Sequence, residues 1–459
     1  MIKNLLFSFL ILLSFNNYIT AQQSDSAIIG NFYREALTSD EGYNNLRYLC
    51  KNIGHRVAGS IQSEYAVEWV YKTLSEMKLD TVYTQECMVR NWERGEREYC
   101  YFNSEMFGRK ELNCCALGTS IGTGKDGIKA NIVEVKSFEE LQKLGRKNVE
   151  GKIVFFNNPA KQEFFNTFEA YGDAVGPRVH GAVEGARLGA IGIIIRSVTL
   201  AKYDFPHTGV MRYADSVTKI PAIAISTNDA DLLSRYLKMD KSLEVYFRTT
   251  CEEFPEKVSH NVIGEIKGSV YPDEIIVVGG HLDSWDIGEG AHDDGAGVIH
   301  AMEVLRIYKA LNIRPQHTIR FVAFMDEEIA QRGGRKYAEV VKQKNEKHIA
   351  ALESDAGGTV PNGFIMEATD EQFNKISSFR NLLMPYGIYF FITGGSAVDI
   401  YYLKDLGFPR IGLMCDSQRY FDFHHSANDT FENIHPRELK LGGAALSSLV
   451  YLIDTYGVQ

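Results

Sequence analysis

Residues Gly279–Val298 read GGHLDSWDIGEGAHDDGAGV, and they follow directly on the apolar run EIIVV at Glu274–Val278. The stretch crowds two histidines, four aspartates and one glutamate among six glycines. Carboxylates gathered that densely in a partly dry place repel one another and take up protons, unless a positive charge compensates them. The apolar run predicts a strand, and AGVIHAMEVLRIYKAL, beginning at Ala296, predicts a helix. Strand, acidic loop and helix in succession set the pattern for the second half of the chain.

The pattern repeats. Strand TIRFVAFM, helix GGRKYAEVVKQK, strand HIAALES, strand PRIGLMC and a terminal helix from about Pro436 to Tyr456 follow in order. Such alternation predicts an α/β fold, a mostly parallel mixed sheet covered by helices on both faces. In sheets of that kind ligands sit beyond the carboxyl ends of the strands. Those ends are where this chain keeps its acids and histidines. His281 and Asp283 end the first strand, and Asp326, Glu327 and Glu328 the second. Asp355 ends the third, and the loop FHHSANDT after the last strand carries His424 and His425. Points far apart in sequence therefore converge on one edge of one sheet.

Divalent cations relieve the repulsion, and mixed imidazole and carboxylate ligands suit zinc best. Two histidines with three or four acids exceed what one tetrahedral zinc needs. They suit two ions about 4 Å apart that share a bridging carboxylate. In the H-x-D pattern, Asp283 is placed to take the ring proton of His281 and fix its tautomer. The adjacent Glu327 and Glu328 can divide labour, one binding metal while its neighbour takes a proton from activated water.

The rest of the chain bounds the answer. Its 459 residues leave room for two or three domains, and 45% hydrophobic with 24% charged residues is an ordinary globular balance. Net charge is −10 with the basic residues scattered, which argues against a nucleic-acid partner. The N-terminus, MIKNLLFSFLILLSFNNYITAQQ, combines Lys3, an apolar segment from Leu5 to Phe15 and the small Ala21, as a secretory signal peptide over residues 1–21 does. That predicts a secreted or periplasmic protein with no membrane anchor, as no later segment is long and apolar enough to cross a bilayer. Seven cysteines at irregular spacing (Cys50, Cys87, Cys100, Cys114, Cys115, Cys251 and Cys415) are no disulfide framework, although export would permit one or two bridges. QSEYAVEWVYKTLSEMKL places Ala66, Val67, Val70, Tyr71 and Leu74 on one helical face, and DTVYTQECMV reads as a strand. From about residue 120 to 250 short strands (ANIVEV, GKIVFF, IGIIIRSV, IPAIAIS) alternate with glycine-rich turns and brief helical pieces, as in a separately folded insert. The expected division is an N-terminal part of a catalytic domain at 22–120, an insert at 121–250 and the rest of the catalytic domain at 251–459.

The segments GGHLDS, GAHDDGAG, MDEE, ESDAGG and FHHSANDT, in that order, resemble the co-catalytic dizinc aminopeptidase and glutamate carboxypeptidase family. IGHRVAGS (Ile53–Ser60) and NWERGERE (Asn91–Glu98) extend the resemblance over nearly all of the chain past the leader. Any one motif is weak, whereas five in the family's order are specific. The resemblance implies a β-rich protease-associated insert and two zinc ions. His281 and Asp355 would hold one ion, Glu328 and His425 the other, and Asp293 would bridge them. Glu327 would be general acid and base, with Asp283 steadying His281. It further implies a homodimer and a short peptide substrate, above all an unblocked dipeptide. Candidates for holding the peptide's ends are Asp399 in GGSAVDI, Arg419 and Tyr420 in SQRYFD, and His424. His55 stands where the family has proline, and Ala330 and Gln331 where it has glycines.

Blander readings compete at several of these positions. Asp293 and Asp294 could form a turn with Gly295. His292 and Asp286 are expected to be polar residues of a surface loop. GTGKDG (Gly122–Gly127) matches a dinucleotide fingerprint but precedes a strand rather than a helix. NDT (Asn428–Thr430) matches a glycosylation sequon, but a glycan there would obstruct the His425 loop. Rival functions are an aminopeptidase on longer peptides, a non-catalytic receptor-like binding module and a single-zinc glutaminyl cyclase. The full ligand set with Glu327 disfavours the last two.

Overall fold

The computed structural model describes residues 25–395 and 397–459, so the leader expected at 1–21 lies outside the described residues. Two eight-stranded sheets organise them. The first runs, in spatial order, Thr81–Glu93, Glu252–Ile266, His317–Phe324, Tyr271–His281, Lys347–Glu353, Arg410–Cys415, Pro361–Glu367 and Phe390–Thr393. Its centre is parallel: Tyr271–His281 pairs in parallel with both neighbours, and Lys347–Glu353 with Arg410–Cys415. The two strands on its first edge and the return through Pro361–Glu367 are antiparallel, which makes the sheet mixed.

The central strand shows why the apolar run is unbroken. Ile276 and Val278 pack with Val298, Met302 and Leu305 of helix Ala296–Ala310 and with Leu449 and Ile453 of helix Pro436–Tyr456. Ile275 and Val277 point the other way, into a cluster with Tyr337, Val341, Ile400 and Leu403. Alternate side chains of a strand face opposite ways, so only a continuous apolar run satisfies both cores. Each such side chain contributes roughly 1.5–3 kcal/mol on burial. Helix Ile61–Glu76 is capped by Ser60, whose side chain accepts from the Ser63 N–H, and it buries Ala66, Val67, Val70 and Leu74. Tyr71, expected on the same face, is exposed, because the buried stripe at i, i+4 and i+8 is narrower than the predicted arc.

The second sheet has the spatial order Gly108–Leu112, Tyr99–Ser104, Glu244–Arg248, Ile128–Val135, Ile153–Phe156, Gly192–Arg196, Ala222–Ile225 and Cys114–Ala116. Three of these strands, between residues 99 and 116, precede the boundary at 121 that composition suggests. They are short, and only Gly108–Leu112 carries exposed charged residues; Tyr99–Ser104 mixes aromatic with polar residues and Cys114–Ala116 spans three positions, so no long apolar run marks them. The long antiparallel pair Thr81–Glu93 and Glu252–Ile266 carries the chain out of the first sheet and back into it. All seven cysteines are free, and no helix among the described residues is long and apolar enough to cross a membrane.

Candidate metal centre

The register fixes the site. His281, the last residue of its strand, pairs with Phe324, and Gly279 pairs with Glu353, so the carboxyl ends of three parallel strands fall level. Beyond them the chain turns sharply. Gly297 at the start of the next helix allows the close approach: a Cβ there would stand 1.9 Å from the Ser354 carbonyl oxygen and 2.3 Å from an Asp294 oxygen. Asp326 and His425 adopt positive φ of 70° and 60°, conformations that cost a non-glycine residue on the order of 1 kcal/mol and collect at functional sites. His425 is held there by its neighbours, its carbonyl accepting from the Thr208 N–H at 2.8 Å.

The expected ligands meet. Asp293 Oδ1 lies 3.2 Å from His281 Nε2, which is also 3.5 Å from Asp355 Oδ1. Asp293 Oδ2 lies 3.3 Å from His425 Nε2, which is also 3.0 Å from Glu328 Oε2. One carboxylate thus presents its two oxygens to two imidazoles from opposite loops, each imidazole backed by a further carboxylate. Asp293 Oδ2 and Glu328 Oε1 are buried without a hydrogen-bond partner. Buried polar atoms left so carry a cost that a bound cation removes. The donor set therefore fits two divalent ions, one between His281, Asp293 and Asp355 and one between Asp293, Glu328 and His425. Asp294 also lies near His281 and Asp355. Its oxygens, however, are committed to the His281 N–H at 3.0 Å and the Gly297 N–H at 3.0 Å, which leaves Asp293 to bridge.

Electrostatics agree. Burial disfavours a charged His281, yet the carboxylates of Asp283, Asp293 and Asp355 outweigh it and hold the imidazole well above its usual range. Burial likewise opposes ionisation of Asp293, but His281 and His425 keep its carboxyl well below the usual value. Burial pushes Glu328 up to about 7 and Glu327 well above the normal range, with neighbouring acids adding to both. The cluster holds protons where a metal would hold charge.

The remaining candidates fall out unevenly. Asp283 is fully buried, but its carboxylate accepts from the backbone N–H groups of Glu327 at 3.1 Å and Glu328 at 3.2 Å. The ring nitrogen Nδ1 of His281 instead lies 3.0 Å from the Asp283 carbonyl oxygen and 3.8 Å from its carboxylate. Asp283 thus orients the glutamate pair, and His281 is steadied by main chain. Asp399 is 1% exposed and accepts from the Gly334 N–H at 3.1 Å, and its charge is felt by Glu327. Arg419 is exposed and pairs with Asp422 at 3.5 Å. Tyr420 and His424 do line the centre, their rings 5.3 Å apart. His292, expected on a surface loop, is buried and stacked on Phe423 at 4.5 Å, and Asp286 pairs with Arg94 at 2.6 Å inside the structure.

Four residues around the centre escape sequence inspection. Asp429 accepts from the N–H groups of His292 at 2.7 Å and Asp293 at 3.1 Å, so it holds the bridging residue's backbone. Arg56 is completely buried and donates to the carbonyls of Leu282, Gly54, Glu289 and Gly290, shaping the loop between His281 and Asp293. Arg178, from the second sheet's helix Gly176–Arg187, places Nη1 3.4 Å from His425 Nδ1 and lies over the Tyr171 ring at 5.3 Å. Phe168, from helix Thr167–Ala174, stacks on Tyr420 at 5.6 Å and helps wall a cavity of about 590 Å³. That cavity runs from Asp355 past Ile365, Phe390, Ile392 and Leu413. The Arg178–His425 and Phe168–Tyr420 contacts cross between the two sheets' segments, whereas Arg56 and Asp429 reach the loop between His281 and Asp293 from distant sequence positions.

This fold and this ligand cluster define a metallo-exopeptidase. The model of peptidase family M28 matches residues 261–450. Carboxypeptidase Q of Mus musculus is 33% identical over 90% of this chain and 86% of its own. A Peptidase M28 precursor from Shewanella amazonensis superimposes with a TM-score of 0.89 at 34% identity, covering 94% of this chain and 97% of that one. A zinc aminopeptidase from Bacillus subtilis shares the fold, with a TM-score of 0.64 at 20% identity over 90% of this chain and 95% of that one. The chain belongs to peptidase family M28.

Proposed function

We propose that the protein is an exported zinc-dependent dipeptidase, hydrolysing the peptide bond of short, unblocked peptides. The observation that carries this reading is Asp293, whose two oxygens face His281 and His425 at 3.2 and 3.3 Å. A bound zinc pair supplies Lewis acidity and draws the pKa of water toward neutrality. Glu327 is partly exposed beside buried Glu328, with its backbone fixed by Asp283. Its carboxylate takes a proton from the attacking water as the new C–O bond forms, and passes it to the leaving nitrogen as the C–N bond breaks. Water is consumed, and a free acid and a free amine leave.

Arg178 supports the choice of an unblocked peptide. It is 6% exposed, has no carboxylate partner among the described residues, and its Nε is unpaired. A buried guanidinium in that state suits a ligand carboxylate, such as the free C-terminus of a dipeptide. The apolar cavity beside Asp355 suits an apolar side chain. The segments of the second sheet act, in this proposal, as an insert that closes over the metal centre. Export through a cleaved leader at 1–21 and assembly as a homodimer complete it; N-terminal sequencing of the secreted chain and its mass in solution test them.

The deciding experiment is Glu327→Gln with metal quantification on the same preparation. Turnover of a free dipeptide should fall by about 100-fold to 10,000-fold, the range expected for a lost general base, with two zinc equivalents retained. Retained turnover overturns the assignment.

A further inference from the structure

Resting on the peptidase reading above, we infer that His424 is a further catalytic residue, whose Nε2–H donates to the carbonyl oxygen of the scissile bond. Its position points there. His424 Nε2 lies 3.7 Å from Asp293 Oδ2, one short gap from the carboxylate that joins the two metal positions. That separation is too long for a hydrogen bond to Asp293, and the ring nitrogens have no hydrogen-bond partner among the described residues. A polar ring at the centre of the site is thus left with its hydrogen-bonding capacity free.

Asp293, His424 and His425 offer ligand atoms within 4.8 Å of one another, but the stack on His425 argues against His424 as a ligand. The two imidazoles lie 3.6 Å apart between centroids with 15° between their planes. An imidazole binds a metal close to its own ring plane, at about 2.0–2.1 Å from nitrogen. An ion that His425 would hold together with Glu328 and Asp293 would not suit the parallel ring of His424 as well. Two nearly parallel rings cannot both serve it.

The ring is also held still. Tyr171 meets it edge-on at 5.2 Å, and Phe421 and Tyr420 close on it at 5.1 and 5.3 Å. His424 is only 8% exposed, so few directions remain open to its nitrogens. A donor clamped by aromatic walls pays no reorganisation when charge develops on the substrate oxygen, and that preorganisation is what makes such donors effective. The loop that carries it is fixed from the other sheet: Thr199 donates to the Phe421 carbonyl at 2.5 Å, and Tyr203 to that of Asp422 at 2.6 Å.

The test compares wild type with His424→Phe, His424→Gln and His424→Asn, using a free dipeptide and zinc quantification. Phenylalanine keeps the stack and removes the donor. The glutamine amide nitrogen reaches the place of Nε2, while that of asparagine reaches only the place of Nδ1. His424→Phe should lower kcat by about 100-fold or more, with KM little changed and two zinc equivalents retained. Glutamine should recover at least about tenfold of that loss, and asparagine should not. Loss of a zinc equivalent, an unchanged kcat, or a purely KM effect each overturns the inference, as does equal activity of the Gln and Asn variants, which also decides the case if His424→Phe fails to fold. A wild type that binds two zinc ions but cleaves no free peptide overturns the dipeptidase reading, and this inference with it.

Discussion

Replacing Arg178 with methionine removes a charge while keeping much of its length, and the structure separates its effects on activity and on stability. The side chain is buried, makes no ion pair among the described residues, and has its Nε unpaired. Its contacts are an approach of 3.4 Å to His425 Nδ1 and a position over the Tyr171 ring. The folded protein therefore loses little when it goes, and it sheds the cost of keeping an uncompensated cation out of water. A bound peptide carboxylate loses a charge-assisted interaction of about 1.5–3 kcal/mol, or roughly tenfold to 150-fold in kcat/KM. The assay pairs a free dipeptide with its C-amidated form and follows thermal unfolding of both proteins. Arg178→Met should lower kcat/KM on the free dipeptide by that factor, leave the already poor amidated substrate unchanged, and leave the unfolding midpoint equal or higher. Equal losses on both substrates would refute the reasoning, because Arg178 would then be acting through His425 rather than on the carboxylate.

Arg56→Met should be costly for the opposite reason. Four carbonyls, of Leu282, Gly54, Glu289 and Gly290, lose their donor together, so unfolding free energy should fall by more than about 3 kcal/mol in denaturant titration. Asp429→Asn turns an amide N–H toward one of the two backbone donors it now serves; zinc affinity by competitive chelation should drop about 10-fold to 100-fold with the fold intact. The metal-free protein should lose stability as pH rises. Burial pushes Glu328, Glu353 and Asp429 each up to about 7, whereas in the unfolded chain such groups ionise near 4, so their contribution is complete below about 4 and falls away through 7. His425 has the same sign: burial opposes its charge, but Glu328 and Asp293 raise it to about 9, so its contribution is complete below about 6.5 and is lost through 9. Unfolding midpoints of chelated protein between pH 4 and 9 should fall, and zinc should flatten the slope; a midpoint that rises with pH contradicts the buried-carboxylate account.

The ligand set was legible in the sequence because a parallel strand announces itself. EIIVV is apolar on both faces, and whatever follows such a strand stands at the sheet's active edge. That rule gathers His281, Glu327, Glu328, Asp355, His424 and His425 at one edge, and the choice of Glu328 and His425 within the adjacent pairs rests on the family resemblance. Asp283 lies on the same edge, but its carboxylate direction depends on how the loop from Leu282 to Gly290 folds, and Arg56, some 226 residues away from Leu282, sets that fold. His292 looked like a loop residue because its hydropathy says so. Its burial comes from the flat face of Phe423, which arrives from another strand end. Arg178 and Phe168 were beyond reach because their partners belong to the other sheet, 247 residues on in the case of Arg178 and His425. The strands between residues 99 and 116 were missed for a local reason: they are short, Gly108–Leu112 is mostly charged and exposed, and Tyr99–Ser104 buries only alternate residues.

The acids gathered at this sheet edge look excessive for two cations, and hydrogen bonds divide them by task. Asp293, Glu328 and Asp355 offer oxygens to the metal positions. Asp294 holds the N–H of His281, Asp429 that of Asp293, and Asp283 that of Glu328, while Glu353 holds those of Asp399 and Ile400 beside Asp355's strand. Three of the ligands are thus gripped at the backbone by a carboxylate from a neighbouring position in the site, and a backbone grip fixes the Cα while leaving the side chain free to settle on an ion. Burial and neighbouring acids push the Asp294 carboxyl well above its usual range and those of Asp429 and Glu353 each up to about 7, so bound cations would favour their ionised forms, which make stronger bonds to N–H than neutral ones. Their repulsion is the cost, and it is largest when the cations are missing. The same residues that preorganise the centre therefore make it strain toward metal, and a variant that keeps the ligands but neutralises Asp294 or Asp429 should bind zinc more weakly while its metal-free form unfolds less readily at high pH.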